Sequence, residues 1–404
     1  MACISPKGIF YCPWNPEFGL WQAQYLAGEY HTCIHSQRRA LSTHEKCPEE
    51  AAEVQKEKNK RMQLMERLSA LLVEPFAEHI REASHVVFIP PRHLARMPFV
   101  ELVLDGQHIF LSKSVSQVPS LRTLLTLHSA ADNQARPEVF TTCTVAQPRP
   151  LRTAYNRFDP DLFWSAYESV MIANMLPGAL NPLHGGTLDG AQFKQKYEAA
   201  QFVHVAAHGK KFDFDDPERA HVRLKDPVHV LDMQTWNTKA HLIFFATCFS
   251  GTGLMTETGD LIGFSHTILG SGARAFIGSL WAASDVATFF LVYFFCKRLK
   301  EVIEDRRNTS SLAENFTKAQ VDLAGLRQDM AQQIVDDVRE VWETCRNRFD
   351  PDQVLLEEGL EKLEVRRQYI PSDFSDSYYW APFIFVGYDT HENRGENDMR
   401  DVTR

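Results

Sequence analysis

Apolar residues along the chain follow two periods, and each period predicts a type of element. From residue 49 to residue 82 they recur every three or four positions between charged neighbours, which predicts a helix; the apolar positions are Met62, Met65, Leu68, Leu71 and Leu72. The continuous run His85–Ile89 predicts a buried strand, which two prolines end. Asp105-Gly106 is typical of a hairpin turn, so the flanking runs, Met97–Leu104 and His108–Leu111, are predicted strands.

The middle of the chain alternates between apolar runs and helix-period stretches. The predicted strands are Phe140–Ala146, Phe202–Ala206, Leu242–Ala246 and Ala275–Leu280, followed by a last strand at Trp380–Val386. The predicted helices are Trp164–Met175, Gln192–Glu198, Leu261–Leu269 and Val286–Leu299. Strands that alternate with helices predict an α/β fold, in which a mostly parallel sheet is covered on both faces.

Three segments are predicted along the chain. Residues 1–82 form an N-terminal extension, irregular over residues 1–50 and helical after them. Residues 83–390 form the α/β domain, and Ser310–Arg367 within it is strongly charged and helical. Residues 391–404 are a polar tail that we expect to be disordered.

The composition is that of an ordinary globular protein. The chain has 404 residues and a net charge of −9, which argues against nucleic-acid binding through a basic face. The most apolar runs, Ala240–Phe249 and Ala287–Cys296, reach about half of the ~20 residues that a membrane span needs. No secretion signal is recognisable, and the eight cysteines are scattered rather than dense. We therefore expect a cytoplasmic protein without membrane contact.

Two predicted strands deliver reactive side chains to their carboxyl ends. Phe202–Ala206 leads to His208, and Leu242–Ala246 leads to Cys248. Ligands and chemistry gather at the carboxyl ends of parallel strands, and consecutive strands are usually neighbours. A thiol with a pKa of ~8.5 is little ionised at neutral pH, so an imidazole must take its proton. The pattern predicts a nucleophilic Cys248 with His208 as its proton-transfer partner, in need of no metal or cofactor.

Two further residues near these strand ends have predicted roles. Gly209 has no Cβ, so its N–H can approach a substrate carbonyl and form an oxyanion hole with the N–H of Cys248. His204 shares one strand face with position 208, and we interpret it as a hydrogen-bonded supporting histidine rather than a metal ligand.

Other interpretations of the cysteines stay open. A cysteine at a strand end is usually a buried packing residue. The N-terminal segment also holds enough ligands for a zinc site, although their spacing is irregular and lacks a Cys-x-x-Cys pair; the ligands are Cys3, Cys12, His31, Cys33, His35, His44 and Cys47.

Several motifs in order resemble those of the CHAT domain, a caspase-like peptidase family related to separase. A strand with prolines leads to Met97-Pro98-Phe99, and Pro119-Ser120-Leu121 follows. The histidine motif is His204-Val-Ala-Ala-His208-Gly209, and the cysteine motif is Ala246-Thr247-Cys248-Phe249-Ser250-Gly251. Downstream matches are Gly272-Ala273-Arg274, Ser279-Leu280-Trp281 with Asp285, Ala319-Gln320 and Tyr379-Trp380-Ala381-Pro382-Phe383.

The resemblance implies a caspase-like three-layer sandwich and a cysteine endopeptidase with His208 and Cys248 as its dyad. Relative to the family, residues 321–369 are an insertion, and residues 1–50 have no counterpart. In the separase branch, an acidic residue after the corresponding Leu-Trp selects a basic side chain before the cut. Asp285 resembles that residue, although it is also placed to cap the helix that follows.

The resemblance also implies a protein or peptide substrate and regulation. We expect the chain to work uncut, with a protein partner or an adjoining domain ordering the loops Lys210–His221 and Gly251–Asp260. A catalytically silent caspase-like scaffold is the alternative function. Another acyl transfer with the same Cys–His chemistry also stays open, because the dyad does not define the acceptor.

Overall fold

The protein is built around a central eight-stranded sheet. The structure is a computed structural model, and it describes residues 2–5, 8–11, 20–41, 48–133, 140–148, 161–179, 182–210, 220–255, 261–305, 307–345 and 370–388. The strands of these ranges are β1 (Ala2–Ser5), β2 (Gly8–Tyr11), β3 (His85–Phe88), β4 (Val103–Leu104), β5 (Gln107–His108), β6 (Ser114–Gln117), β7 (Thr142–Ala146), β8 (Leu183–His184), β9 (Phe202–Ala206), β10 (Gly209–Lys210), β11 (His221–Val222), β12 (Val228–His229), β13 (Leu242–Ala246), β14 (Gly253–Met255), β15 (Leu261–Gly263), β16 (Ala275–Ser279) and β17 (Phe383–Gly387).

The helices lie mainly between these strands. They are α1 (Leu20–Leu41), α2 (Pro48–Leu72), α3 (Ala77–Glu82), α4 (Leu121–Asn133), α5 (Phe163–Met175), α6 (Gly190–Ala199), α7 (Phe264–Gly270), α8 (Asp285–Glu304), α9 (Leu312–Ala324) and α10 (Gln328–Cys345), with one further helical turn at Ser377–Trp380. Among the described helices, none is both long enough and apolar enough to cross a membrane.

The order of the central sheet is β3-β6-β17-β16-β13-β9-β7-β8. Its neighbouring strands are parallel except at one junction, where β16 and β17 are antiparallel. The strands β3, β6 and β17 therefore run opposite to the other five. The predicted mostly parallel sheet is confirmed.

Adjacent phenylalanines on β13 show that helices cover both faces of the sheet. The ring of Phe244 packs against Phe295 of α8 and Phe316 of α9. The ring of Phe245 packs against Phe264 of α7. Consecutive strand residues point to opposite faces, so α8 and α9 lie on one face and α7 on the other. The predicted α/β/α layering is confirmed.

The N-terminal helices pack into the same hydrophobic core as the sheet. Buried side chains of α1 and α2, among them Leu26, Ile34 and Leu68, belong to one cluster with the strands. The irregular segment predicted over residues 1–50 thus contains the hairpin β1–β2 and the helix α1. Residues 391–404, and the part of the predicted insertion after residue 345 and before residue 370, lie outside the described residues.

Most predicted elements are confirmed, but three are wrong in part. The predicted hairpin strands Met97–Leu104 and His108–Leu111 are strand only at β4 and β5, because Phe99–Glu101 and Ile109–Leu111 form 3₁₀ turns. The strands Phe202–Ala206 and Leu242–Ala246 have their predicted bounds. The predicted helix Leu261–Leu269 instead begins at Phe264, because Leu261–Gly263 pairs with β14 as a strand. Gly263 fixes this turn: a Cβ there would lie 2.5 Å from the carbonyl oxygen of Thr252, so only glycine fits.

Candidate active site

His208 and Cys248 leave the sheet side by side. Strands β9 and β13 are parallel neighbours, with partners running from Phe202↔Leu242 to Ala206↔Ala246. His208 and Cys248 each follow two residues after the last partners, at the same sheet edge. Cys248 is half-buried rather than part of the core. The topology thus brings together the two residues on which the predicted chemistry depends.

Gly209 packs directly against the cysteine turn. A Cβ at position 209 would lie 2.3 Å from Cγ2 of Thr247 and 3.0 Å from the carbonyl oxygen of Cys248. Any side chain at this position would therefore force the two strand ends apart. This close approach explains why glycine follows His208.

The N–H of Gly209 points away from the neighbouring hairpin. The N–H of Arg223 donates to the carbonyl oxygen of His208 at 2.8 Å, and Gly209 is the partner of Val222 in the β10–β11 ladder. In an antiparallel ladder such a pair alternates with hydrogen-bonded pairs, so the Gly209 amide faces outward. The ladder therefore does not use this N–H, and its role as an oxyanion donor stays a prediction.

The turn that carries Cys248 is fastened to its own strand, β13, and to the neighbouring strand β16. The hydroxyl of Ser250 donates to the carbonyl oxygen of Phe245 at 3.1 Å and accepts the N–H of Ser279 at 3.0 Å. The N–H of Gly251 donates to the carbonyl oxygen of Ser279 at 2.8 Å. Phe249 has a φ of 62°, an unfavourable value for a residue with a side chain. These bonds hold the strained turn in one conformation.

Helix α1 reaches the cysteine turn, a contact that sequence analysis missed. The ring of His35 stacks on Phe249, with centroids 6.4 Å apart. One turn earlier in α1, the pKa of His31 is lowered to about 4 by burial and by the nearby charges of Arg96 and His35. The guanidinium of Arg96 donates to the carbonyl oxygen of Gly253 at 2.5 Å, on the strand that follows the turn. The N-terminal segment thus braces the site, although its sequence carries no motif for this.

His204 lies beneath the site in a buried polar cluster. Its Nε2 lies 3.0 Å from Oε2 of Glu168, without a well-aligned hydrogen bond, and its Nδ1 lies 3.3 Å from Oγ1 of Thr144. Burial lowers the pKa of His204 to about 3 and raises the pKa of Glu168 far above its usual value. Both shifts favour a neutral imidazole beside a protonated carboxyl.

Asp285 lies in the first turn of α8, after the exit of β16. Its Oδ2 accepts the N–H of Trp164 in α5 at 3.0 Å. The cap of α8 is Ser284, whose hydroxyl accepts the N–H of Ala287 at 3.5 Å. Asp285 therefore connects two helix starts and is not the cap that the sequence suggested as its alternative role. Its role in a substrate pocket stays a prediction.

Comparison with known proteins identifies the family. The family model of the CHAT domain matches residues 62–388. The chain belongs to the CHAT domain family. Among curated proteins no sequence matches.

Solved structures similar to this CHAT domain share little sequence with it. The Saccharomyces cerevisiae separase–securin complex has 12% identity and a TM-score of 0.46, and the match covers 76% of this chain and 16% of that one. The Arg specific cysteine proteinase gingipain R (RgpB) has 8% identity and a TM-score of 0.47, with 80% and 68% covered. The complex of Porphyromonas gingivalis RgpB pro- and mature domains has 8% identity and a TM-score of 0.45, with 80% and 70% covered.

Other motif residues of the CHAT domain support the strands around the site. The amide of Gln320 donates to the carbonyl oxygens of Trp380 and Phe383, at 2.8 and 3.1 Å. The N–H of Leu280 donates to the carbonyl oxygen of Pro382 at 2.7 Å. These bonds fix α9 and β17 next to β16, which in turn holds the cysteine turn.

The candidate zinc ligands of the N-terminal segment do not form a metal site in the described part of the chain. There, no group of three or more His, Cys, Asp and Glu side chains is arranged to hold a metal. His31, Cys33 and His35 lie on α1, and burial together with Glu57 raises the pKa of Cys33 to about 11. The side chains of Cys3, Cys12, His44 and Cys47 lie outside the described residues.

A cavity of about 480 Å³ lies apart from the dyad candidates, between α8, α9 and β6. The cations that line it are already engaged, since Arg298 pairs with Asp322 at 2.6 Å and Lys318 pairs with Glu314 at 2.5 Å. None of its lining residues belongs to β9, β13 or the hairpin around β11. It contributes nothing to the candidate active site.

Proposed function

We propose that this CHAT domain is a cysteine endopeptidase in which Cys248 is the nucleophile and His208 moves the proton. The observation that carries the proposal is the contact between the two strand ends, where Gly209 packs on the carbonyl oxygen of Cys248. Membership of a caspase-like family supports it as well. A protein or peptide is the proposed substrate, and no metal or cofactor is needed.

The reaction follows from this pairing. His208 takes the thiol proton, and the thiolate of Cys248 attacks the peptide carbonyl carbon to form an S–C bond. The N–H groups of Gly209 and Cys248 donate hydrogen bonds to the developing oxyanion. His208 then gives its proton to the amine nitrogen as the C–N bond breaks. Water, deprotonated by His208, attacks the thioester and releases the thiolate.

Regulation by a partner protein or an adjoining domain belongs to the same proposal. The loops proposed to respond begin two residues after His208 and three residues after Cys248, and parts of both, residues 211–219 and 256–260, lie outside the described residues. The contact of His35 with Phe249 supports the idea that elements outside the sheet influence the cysteine turn.

The dyad is tested by three variants in a cleavage assay on a peptide library. Cys248→Ala, His208→Ala and the double variant should each lose about three orders of magnitude or more in kcat/KM, and by similar amounts, because the two residues act as a unit. All three should keep the wild-type circular dichroism spectrum, since neither change opens a large cavity.

Matched controls separate chemistry from folding. Cys143→Ala removes a buried thiol from β7, and His266→Ala removes an exposed imidazole from α7, so both should keep cleavage. Cleavage that survives in Cys248→Ala would overturn the dyad. If the wild-type protein neither reacts with a thiol-reactive peptide probe nor cleaves any peptide, the alternative function, a catalytically silent scaffold, would be favoured.

A further inference from the structure

Arg223 lies opposite His208 in the small sheet beside the candidate active site. Its N–H donates to the carbonyl oxygen of His208 at 2.8 Å, directly next to the Gly209↔Val222 pair. Because this bond uses only the main chain, the backbone position of residue 223 does not depend on its side chain. The guanidinium can therefore be changed without releasing the strand that holds His208.

The side chain of Arg223 points away from the hydrophobic core. Its neighbours Val222 and Leu224 are both buried, whereas Arg223 is half-buried. The N–H of Leu224 donates to the carbonyl oxygen of Val222 at 3.2 Å, so the chain turns at Arg223 and leaves its side chain more exposed than those of its two neighbours. Gly209, next in the ladder, lies so close to the cysteine turn that a Cβ on it would be 3.0 Å from the carbonyl oxygen of Cys248. Arg223, His208 and Cys248 thus belong to one cluster.

The charge of Arg223 interacts with Cys248. Burial lowers the pKa of the guanidinium, and the negative charge of a Cys248 thiolate raises it in return. This coupling is mutual, since a cation that a thiolate stabilises must stabilise that thiolate equally. An arginine keeps its charge at all physiological pH values, whereas an imidazole loses its charge whenever it gives up a proton.

We propose that Arg223 is a second, permanent cation that holds Cys248 in its thiolate form beside His208. The residue acts before any bond forms, because it favours transfer of the thiol proton to His208. It also favours departure of the thiolate when water cleaves the thioester. The inference rests on the proposed role of Cys248 as a nucleophile and deepens it.

Other titratable or charged groups lie on the elements next to the cysteine turn and must be kept constant in a test. They are His208 next to the small sheet, Lys210, His221 and His229 within it, His35 on α1 and Asp285 at the start of α8. Each remains unchanged in a variant that alters Arg223 alone.

The test measures how fast iodoacetamide alkylates Cys248 between pH 5 and 10, with mass spectrometry of the Cys248 peptide as readout. The thiols of Cys33, Cys143 and Cys296 are buried and have raised pKa values, so they react slowly. In Arg223→Met the midpoint, which is the pH at which the alkylation rate of Cys248 is half of its maximum, should rise by about one unit. One unit is the lower end of the range for the loss of an opposite charge. The alkylation rate at pH 6 should fall by about tenfold.

Two further variants make the result specific. Arg223→Lys keeps a positive charge and should recover most of the wild-type midpoint. Arg327→Met removes an exposed arginine of a distant helix start and should leave the midpoint unchanged. A wild-type midpoint in Arg223→Met would overturn the inference but not the peptidase, because Cys248→Ala tests that separately. Conversely, the midpoint could shift in Arg223→Met while the wild-type protein cleaves no peptide. That result would support the role of Arg223 in stabilising the thiolate and would reject the proposed peptidase function.

Discussion

At the scale of single residues, Glu168 shows that burial alone can decide where a proton lies. The carboxyl is almost completely buried, and its pKa is raised far above the ordinary value because no solvent stabilises its charge. His204, 3.0 Å away, has its pKa lowered to about 3 for the same reason. The folded protein therefore keeps a proton on Glu168 that the unfolded chain releases above a pH of about 4.5.

Glu168→Gln should stabilise the protein increasingly as the pH rises from 5 to 8. An acid with a raised pKa in the folded state loses stability as the pH rises above its unfolded pKa, and glutamine removes that loss. The difference in free energy of unfolding between variant and wild type should grow by up to about 1.4 kcal/mol per pH unit. Urea denaturation at four pH values measures it.

Glu304→Gln, at an exposed position, provides the control and should show no such trend. A difference in unfolding free energy between variant and wild type that stays constant from pH 5 to 8 would contradict this prediction, because it would mean that the folded protein does not keep the proton on Glu168.

The sequence predicted those residues whose partners follow simple rules. His208 and Cys248 each end an apolar strand, so their meeting required only that consecutive parallel strands be neighbours. Glu168, Arg223 and His35 could not be predicted, because each meets the site through elements whose relative position only tertiary packing decides. No local pattern marks a glutamate in the middle of a helix as the neighbour of a strand histidine.

At the scale of elements, periodicity worked where the contrast between apolar and polar residues was strong. The runs that became β9 and β13 are almost wholly apolar and have sharp ends. Helix α1 escaped prediction because alanine and tyrosine supply part of its buried face, so the contrast is weak; these buried residues are Ala23, Leu26, Ala27, Tyr30 and Ile34. The helix predicted from Leu261 begins too early, because Leu261–Gly263 fits the helix pattern but pairs with β14 as a strand.

Asp285, in the first turn of α8, is the residue proposed to set the substrate preference. Asp285→Asn keeps an oxygen that can accept the N–H of Trp164 but removes the negative charge. If the carboxylate selects a basic side chain before the scissile bond, wild type should prefer Arg over Lys there, and Asp285→Asn should lose that preference. The free energy of unfolding should fall by less than about 1 kcal/mol. Peptide-library profiling and urea denaturation give the two values.

Asp285→Ala completes that comparison, since it removes the acceptor as well as the charge. It should lose the same preference and in addition about 1–3 kcal/mol of stability, as the buried N–H loses its partner. Identical peptide profiles for wild type and Asp285→Asn would limit Asp285 to joining the two helices.

At the scale of the whole molecule, one buried ion cluster joins the N-terminal helices to the rest of the fold. Arg61 of α2 donates to Oδ1 of Asp376 and to Oε1 of Gln37, each at 2.5 Å. Its Nε lies 3.9 Å from Oε2 of Glu101, and the other carboxyl oxygen of Glu101, Oε1, accepts the hydroxyl of Tyr30. Burial acts to raise the pKa of Asp376, but the charge and hydrogen bonds of Arg61 outweigh it and hold that pKa low.

Arg61→Met should cost about 3–5 kcal/mol of unfolding free energy, because it leaves the buried carboxyl of Glu101 without its cation and Asp376 with only the longer contact to Lys58, at 3.6 Å. Arg81→Met is the matched control: its partner Asp105 and Arg81 itself are both half or more exposed, so the loss should stay below about 1 kcal/mol. Equal losses of unfolding free energy in Arg61→Met and Arg81→Met would contradict the prediction that the buried ion cluster stabilises the fold.

The place of β17 in the sheet has a consequence for the nascent chain. Although it is the last strand of the described sequence, it lies between β6 and β16, far earlier in the chain. While the ribosome is still translating, β9 and β13 can already pair, but the ribbon of β3 and β6 has no strand to join. Translation at about 5–20 residues per second leaves its open side exposed for tens of seconds. Chaperones that shield unpaired strand edges should therefore matter throughout the synthesis of the segment between β6 and β17.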